Sequence, residues 1–330
     1  MTLLSITVPT FNRAVLLDFF LSVHAPLFQR HGVPLYIADN ASTDDTPQVC
    51  ERWAAKFDVL RVYRFDDHVE TDRNFHRALV LPNSRYVWLM GDGYEITEAM
   101  LVKALMLVSA DSQYDHITIN LSSISDFKVG KEYRSPSEVV KILAWLMTCI
   151  SCNIYGERLL KKARFENFYN SSFLQCGIAL DFMRFRDFRF YFSPEISVVT
   201  LKCPQYKKAA WGGYFFDVCF TRFPKLSFAL HESLQIEDQL NLCRSFFLNS
   251  PVFGWRHLLN MRANGALDPR LVSKHKVVIR ALSPWRFQLT LFLLILLPKL
   301  VSKPLSVIVE TMRKYNYRIR KRFGLWGEGM

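Results

Sequence analysis

Leu4-Ser5-Ile6-Thr7-Val8 runs straight into Pro9-Thr10-Phe11-Asn12-Arg13, and the fold is decided by how this opening stretch is read. A short strand-like run followed by polar, turn-forming residues marks a buried strand whose end leaves room for a ligand. The phrase recurs. Pro34-Leu35-Tyr36-Ile37-Ala38 ends in Asp39-Asn40-Ala41-Ser42-Thr43-Asp44-Asp45-Thr46, and Tyr86-Val87-Trp88-Leu89-Met90 runs into Gly91-Asp92-Gly93. Between them, Arg73-Asn74-Phe75 heads a helical pattern. Ligands of open α/β sheets sit beyond the carboxyl ends of the strands, so these segments are expected to meet in one crevice.

Working outward, strand and helix patterns alternate as a mostly parallel sheet requires. Helices are expected over 14–28, 45–57, 74–81, 97–109 (capped by Thr97) and 138–148. Further strands are expected at 60–64, 116–120, 150–155 and 192–200. From Phe215 the pattern is helical, broken near Pro224, Pro251, Gly265 and Pro284. A boundary near residue 210 divides an expected sheet domain, 1–210, from a helical region, 211–330.

The chain has 330 residues, half of them hydrophobic, which excludes a disordered protein. Lys and Arg number 42 against 30 for Asp and Glu, a net charge of +12 that favours anionic partners. Much of the excess lies in Arg313-Lys314-Tyr315-Asn316-Tyr317-Arg318-Ile319-Arg320-Lys321-Arg322. Seven irregularly spaced cysteines suit a reduced, cytosolic chain. Cys149-Ile150-Ser151-Cys152 has metal-pair spacing without a second pair, so buried thiols are the favoured reading. The N-terminus opens into a strand with no basic leader, and the expected location is the cytosol.

With these motifs in order, the chain resembles the family 2 glycosyltransferases, particularly bacterial ones that build O-antigen or capsule repeat units. The resemblance rests on residues 4–92: Pro9-Thr10-Phe11-Asn12-Arg13, Ala38-Asp39-Asn40-Ala41-Ser42-Thr43-Asp44, and Trp88-Leu89-Met90-Gly91-Asp92. It implies a GT-A fold, an α/β architecture with a mostly parallel central sheet plus the C-terminal helical region. It also implies sugar transfer from a nucleoside-diphosphate sugar donor.

The resemblance gives residues their expected roles. Asp39, with Asn40, would accept hydrogen bonds from the donor's base or ribose; the bland reading of Asp39 is a turn aspartate. Pro9, Thr10 and Asn12 would line the same pocket, and Arg13 would face a phosphate unless it is an exposed helix-start residue. Arg73 and Asn74 begin the family's donor-binding helix, whose free amides suit pyrophosphate. Gly91 and Asp92 close the strand at which the family's aspartates hold Mg²⁺ or Mn²⁺ against the diphosphate. Here the second aspartate is Tyr94. Either Asp92 with Glu95 holds the metal loosely, or positive side chains and helix ends stabilise the leaving group without one. An inverting transferase also needs a general base. Counting back from Pro194 lands near Gln175-Cys176, neither a good base, so Asp181 is the candidate; a surface aspartate balancing Arg184 and Arg186 is the alternative, and Asp217 the fallback.

Trp211-Gly212-Gly213-Tyr214 reads either as a loop closing over donor or acceptor, with Trp211 and Tyr214 facing sugar rings and Gly213 in the hinge, or as a domain linker. The apolar run 287–297 is shorter than the about 20 residues that cross a bilayer. It is either a buried helix or an interfacial segment, with the basic tail held by an anionic membrane surface. The second reading puts the protein peripherally on the inner face of the cytoplasmic membrane, where a polyprenyl-diphosphate-linked glycan acceptor would also lie. Two competitors stay open: a sugar-nucleotide-binding scaffold without catalysis, and a nucleic-acid binder. Nucleic acid is the less favoured partner, because the basic residues cluster beside an apolar segment and no recognised motif appears.

Overall fold

The structure, a computed structural model, describes residues 2–110, 113–122, 129–206 and 214–322, with side chains described through residue 312. The chain forms two compact units, Met1–Lys207 with Glu232–Leu234, and Lys208–His231 with Gln235–Met330.

The first unit is built on a sheet. Its strands are β1 (Thr2–Thr10), β2 (Leu35–Asp39), β3 (Leu60–Arg64), β4 (Ser84–Leu89), β5 (Tyr94–Glu95), β6 (His116–Leu121), β7 (Lys131–Tyr133), β8 (Asn153–Gly156) and β9 (Phe190–Thr200). The strand order is β3-β2-β1-β4-β8-β6-β9-β5, with β7 also on β9. The half that carries β3, β2, β1 and β4 is wholly parallel, and β8 inverts the direction between β4 and β6. From β1 the chain winds outward to β2 and β3, then returns to β4 on the other side of β1. That reversal is the topological switch point of the sheet.

Helices α1 (Ala14–Arg30), α2 (Thr46–Ala54), α3 (Thr71–Val80) and α4 (Glu98–Ser109) fill the connections among the early strands. Leu4, Ile6 and Val8 of β1 are buried together with Leu17, Phe20 and Phe28 of α1 in one core. His24 belongs to that core as a neutral imidazole. Its Nε2 accepts from the Ile96 amide at 3.2 Å, so Nδ1 carries the proton and donates to the Phe20 carbonyl at 2.9 Å. Burial lowers its pKa to about 4.

The register shows where the sheet opens. β1 stays paired with β2 as far as Thr10 and Asp39, but its ladder with β4 ends at Thr7 and Leu89. Pro9, which has no amide proton to give, falls just past that point. The last strand is irregular for a similar reason: Pro194-Glu195-Ile196 interrupts the β6–β9 register, because proline cannot extend the ladder.

Two expectations need correction. The helix expected over 138–148 is two short ones, α5 (Pro136–Ile142) and α6 (Ala144–Met147), and the strand expected from Ile150 begins only at Asn153. Asn153 explains the delay. Its side-chain amide donates to the carbonyls of Met147 at 3.1 Å and Cys149 at 2.6 Å, folding 150–152 into a tight turn first. Cys149 and Cys152 hydrogen-bond each other across that turn. Two further helices complete this unit, α7 (Glu157–Lys162) and α8 (Leu174–Phe182).

The second unit is helical, from Tyr214–Asp217 to Lys299–Arg322. Its core is a phenylalanine cluster in which Phe220 stacks on Phe247 at 5.1 Å and Phe253 meets Phe287 edge-on at 5.5 Å. In the Trp285–Leu296 helix only Phe287 and Leu291 are buried, while Leu289, Phe292, Leu293 and Leu296 are exposed. The buried-helix reading of 287–297 therefore holds for one face alone. Among the described residues no single helix is long and apolar enough to cross a membrane; Trp285–Leu296 and Lys299–Met312 pass that test only as a pair bent by 120°.

Candidate active site

The site begins at Thr10, the last residue of β1. Its carbonyl accepts from the Asn40 amide at 3.0 Å, and its hydroxyl donates to Asp92 Oδ2 at 3.3 Å. The segments after β1, β2 and β4 are thereby joined at the switch point. Asp39 and Asp92 are each only 1% exposed.

The β1 and β2 loops are stitched to each other by side chains. Asn12 adopts a left-handed φ of 50°, which asparagine tolerates, and its Oδ1 accepts from the Thr43 amide at 2.8 Å. The Asn12 amide donates to Ser42 Oγ at 2.9 Å, and the Arg13 amide to Thr46 Oγ1 at 3.1 Å. Ala41, at φ 59°, takes the same conformation without asparagine's tolerance, a local strain of about 1 kcal/mol held by the surrounding bonds.

Asp39 is only half satisfied. Oδ1 accepts from the Ser42 amide at 3.1 Å, while buried Oδ2 has no hydrogen-bond donor and lies 3.8 Å from Arg64 Nε. A buried carboxylate oxygen in that condition suits an N–H or O–H brought by a ligand. Asn74 Oδ1 and Gln175 Oε1 are likewise buried and without a hydrogen-bond partner among the described residues. Asn40 is committed to the fold: its side-chain Nδ2 donates to the Val69 carbonyl at 2.7 Å and its Oδ1 accepts from the Val69 amide at 3.0 Å.

Arg13 does not stand free as an exposed helix-start residue. Its guanidinium is ion-paired through Nη1 with Asp92 Oδ1, Nη2 donates to the Tyr206 hydroxyl at 3.3 Å, and the group lies 5.6 Å from that ring. Burial pushes the Asp92 carboxyl up, opposed by Arg13 and Thr10. Burial lowers Arg13, but Asp92 and Tyr206 more than offset it. Gly91 donates its amide to Ser151 Oγ at 3.0 Å, and a Cβ there would stand 3.2 Å from Ile150 Cγ2, so this strand end runs close against the turn.

The start of α3 differs from expectation. The amides of Asp72 and Arg73 are already capped by the Glu70 carboxylate, at 2.8 and 3.0 Å, so they are not free for a pyrophosphate. The Arg73 side chain is exposed and stacks over Tyr169 at 4.6 Å. Asp72, which the sequence did not single out, accepts from the Ser172 amide at 2.8 Å and ties α3 to the segment entering α8. Burial raises its pKa to about 6.

The general-base assignment also needs correction. Asp181 takes Arg164 on Oδ1 at 2.5 Å and Arg184 on Oδ2, and Ser233 Oγ donates to its carbonyl at 2.8 Å. Both carboxylate oxygens are committed to guanidinium partners, so this is a tie within the fold rather than a free proton acceptor. Asp217 is paired with Arg222 at 2.7 Å. Glu95 lies in β5, paired with Val199 of β9. Tyr94 is hydrogen-bonded to Cys149. Tyr214 is exposed at the start of the second unit, whereas Trp211 and Gly213 lie outside the described residues. Arg64 and Tyr206 carried no motif, and only their position in the fold reveals them.

Residues 5–176, over half the chain, match the family model described as glycosyl transferase family 2. A curated relative, abequosyltransferase RfbV of Salmonella typhimurium, is 30% identical over 115 residues, about a third of either protein's length. Two solved structures share the fold at 15% identity. The Staphylococcus aureus TarS fragment 1–349, in complex with UDP-GlcNAc, has a TM-score of 0.54 and covers 88% of this chain and 84% of its own. The mannosyltransferase PcManGT of Pyrobaculum calidifontis, in complex with GDP-Man and Mn²⁺, has a TM-score of 0.51 and covers 89% and 86%. The matched segment includes β1, β2 and β4, whose ends carry Thr10, Asp39 and Asp92, and the chain therefore belongs to glycosyl transferase family 2 and has a GT-A fold.

Proposed function

We propose that this enzyme moves a sugar, with inversion, from a nucleoside-diphosphate donor to a polyprenyl-diphosphate-linked glycan during assembly of an O-antigen or capsule. The observation that carries the donor half is the pair Asp39 and Asp92, two buried carboxylates joined through Thr10 at the switch point. Asp39 Oδ2 would accept from the base or ribose, and Asn74 Oδ1 and Gln175 Oε1 are free to accept donor hydroxyls. The acceptor hydroxyl bonds to the anomeric carbon as the bond to the diphosphate oxygen breaks. The electron pair leaves with the nucleoside diphosphate, and the hydroxyl proton passes to water or a basic side chain. The likeness to an abequosyltransferase supports the surface-polysaccharide setting.

The acceptor half draws on the second unit. Trp285, Phe292, Leu296 and Leu300 are exposed beside Arg286 and Lys299, a composition suited to lying in the interface of an anionic leaflet. Each basic residue near such a surface adds about 1 kcal/mol. On this reading the enzyme works peripherally on the inner face of the cytoplasmic membrane.

A thermal-shift screen against UDP-, GDP-, CDP- and dTDP-sugars tests the donor, since a ligand at 100 times its Kd stabilises by about 2.7 kcal/mol. Flotation with vesicles containing phosphatidylglycerol tests the surface. Stabilisation by one nucleotide class and salt-sensitive flotation are expected; failure of every nucleotide sugar to bind refutes the donor assignment.

A further inference from the structure

The fold family implies a divalent cation at Asp92, and the residues around Asp92 do not make a ligand set for one. Its Oδ1 is held by Arg13 and its Oδ2 by Thr10. Tyr94 stands where the second aspartate belongs and is turned to Cys149. Glu95 is fixed in β5 against Val199. Among the described residues no three His, Cys, Asp or Glu side chains converge to hold a metal ion. A cation arriving at Asp92 would first have to part a buried carboxylate from its guanidinium, which costs more than parting an exposed pair.

Resting on the donor reading above, we propose that Arg13 takes the cation's place: one edge of its guanidinium is anchored by Asp92 and Tyr206, and the rest faces the donor diphosphate. The geometry supports both halves. The Arg13 side chain is 40% exposed although its partner Asp92 is buried, so the side chain is not enclosed at the strand ends. Among the described residues two of the five N–H donors are used, on Asp92 and the Tyr206 hydroxyl, which leaves three for phosphate oxygens. A planar guanidinium with several parallel donors suits a diphosphate, and fixing it beforehand removes the reorganisation that a mobile lysine would need. As the anomeric bond breaks, negative charge grows on the departing diphosphate beside a positive charge already in place. Asp92 thus acts as a positioning residue for Arg13, and Tyr206 as its second support.

Calorimetric titration of the full chain with UDP, GDP, CDP and dTDP, each in excess EDTA and again with Mn²⁺, tests this. The nucleotide that binds is expected to keep its Kd within about twofold between the two conditions. Arg13→Gln should weaken that diphosphate roughly tenfold or more while the matching nucleoside binds as before, and Arg13→Lys should recover part of the loss. Binding seen only with Mn²⁺ overturns the proposal and leaves the donor reading standing. Equal weakening of diphosphate and nucleoside in Arg13→Gln reduces Arg13 to a structural role and also overturns it. Absence of any nucleotide binding in both conditions removes the donor reading itself. Should Arg13→Gln fail to fold, the comparison of EDTA with Mn²⁺ on the unaltered protein still decides.

Discussion

Thr10 faces Asp39 across the β1–β2 ladder and donates its hydroxyl to Asp92 at 3.3 Å. One residue at the end of the central strand thus has a buried aspartate as its register partner on one side and bonds the carboxylate of another, 53 positions away in sequence, on the other. The switch-point topology makes this possible, because β1 has β2 on one flank and β4 on the other. The β1–β4 ladder stops at Thr7, so the gap between Thr10 and the segment after β4 is spanned by a side chain and not by the backbone.

Asp39→Asn keeps size and one acceptor oxygen. The Ser42 amide, fixed by the Asn12–Thr43 stitching, retains that oxygen, so the new NH₂ occupies the position of Oδ2, which accepts no hydrogen bond among the described residues. A donor would then face the donor group of the ligand. Nucleotide affinity measured by calorimetry should fall by about 2 kcal/mol, roughly thirtyfold, with the unfolding midpoint nearly unchanged. An unchanged affinity would remove Asp39 from the binding site.

His24 gives a pH dependence whose sign follows from its burial. Its folded pKa is lowered to about 4, below the unfolded value near 6.5, so its contribution is intact above about pH 6.5 and is lost as pH falls toward 4. Protonating Nε2 would also break the bond from the Ile96 amide. His116, lowered by burial to about 3, acts in the same direction, whereas Asp72, raised to about 6, acts oppositely between about pH 6 and 4. Urea unfolding of the unaltered protein and His24→Phe across pH 4.5–6.5 isolates one group. The variant's stability should vary less steeply, by about 1 kcal/mol per pH unit, than that of the unaltered protein. Identical slopes would show that His24 is not buried as described.

Asp181→Asn should act on stability and not on chemistry. The substitution leaves Arg164 and Arg184 facing a neutral amide in a largely buried place, a loss of about 2–4 kcal/mol in chemical denaturation. Transfer activity per folded molecule should stay within about threefold, because a general base removed by the same change would cost about a hundredfold or more. A hundredfold loss with an unchanged unfolding midpoint would return Asp181 to the role of base.

Much of the parallel half of the sheet was legible because each strand there carries its own signal: a short apolar run, then a polar turn. The strand over Leu60–Arg64 and the helix capped by Thr97 appear where the residues put them. β5 and β7, at two and three residues, are too short to show any period. Asn153 overrode the expected strand start through contacts with carbonyls that no periodicity reveals. The convergence of the segments bearing Thr10, Asp39 and Asp92 follows from topology, which the alternation of strands and helices supplies. The partners of those residues do not follow from it. Arg13 and Asp92 lie 79 positions apart, and Arg13 and Tyr206 lie 193 apart, so no local pattern links them. Asp181 misled for the converse reason: its arginine at i+3 was visible, but Arg164, which completes the ion pairing, was not. The α3 amides misled because glutamate is not among the favoured N-cap residues, and its side chain caps them nonetheless.

Hydrogen exchange on the full chain, with and without the nucleotide sugar that the thermal-shift screen selects, tests most directly whether the strand ends carrying Asp39 and Asp92 enclose one ligand. Protection is expected together in the three peptides covering residues 9–13, 39–44 and 90–93, which Thr10 brings to one place. Protection confined to one of these three, or lying elsewhere while all three exchange unchanged, would contradict a shared donor site at the ends of β1, β2 and β4.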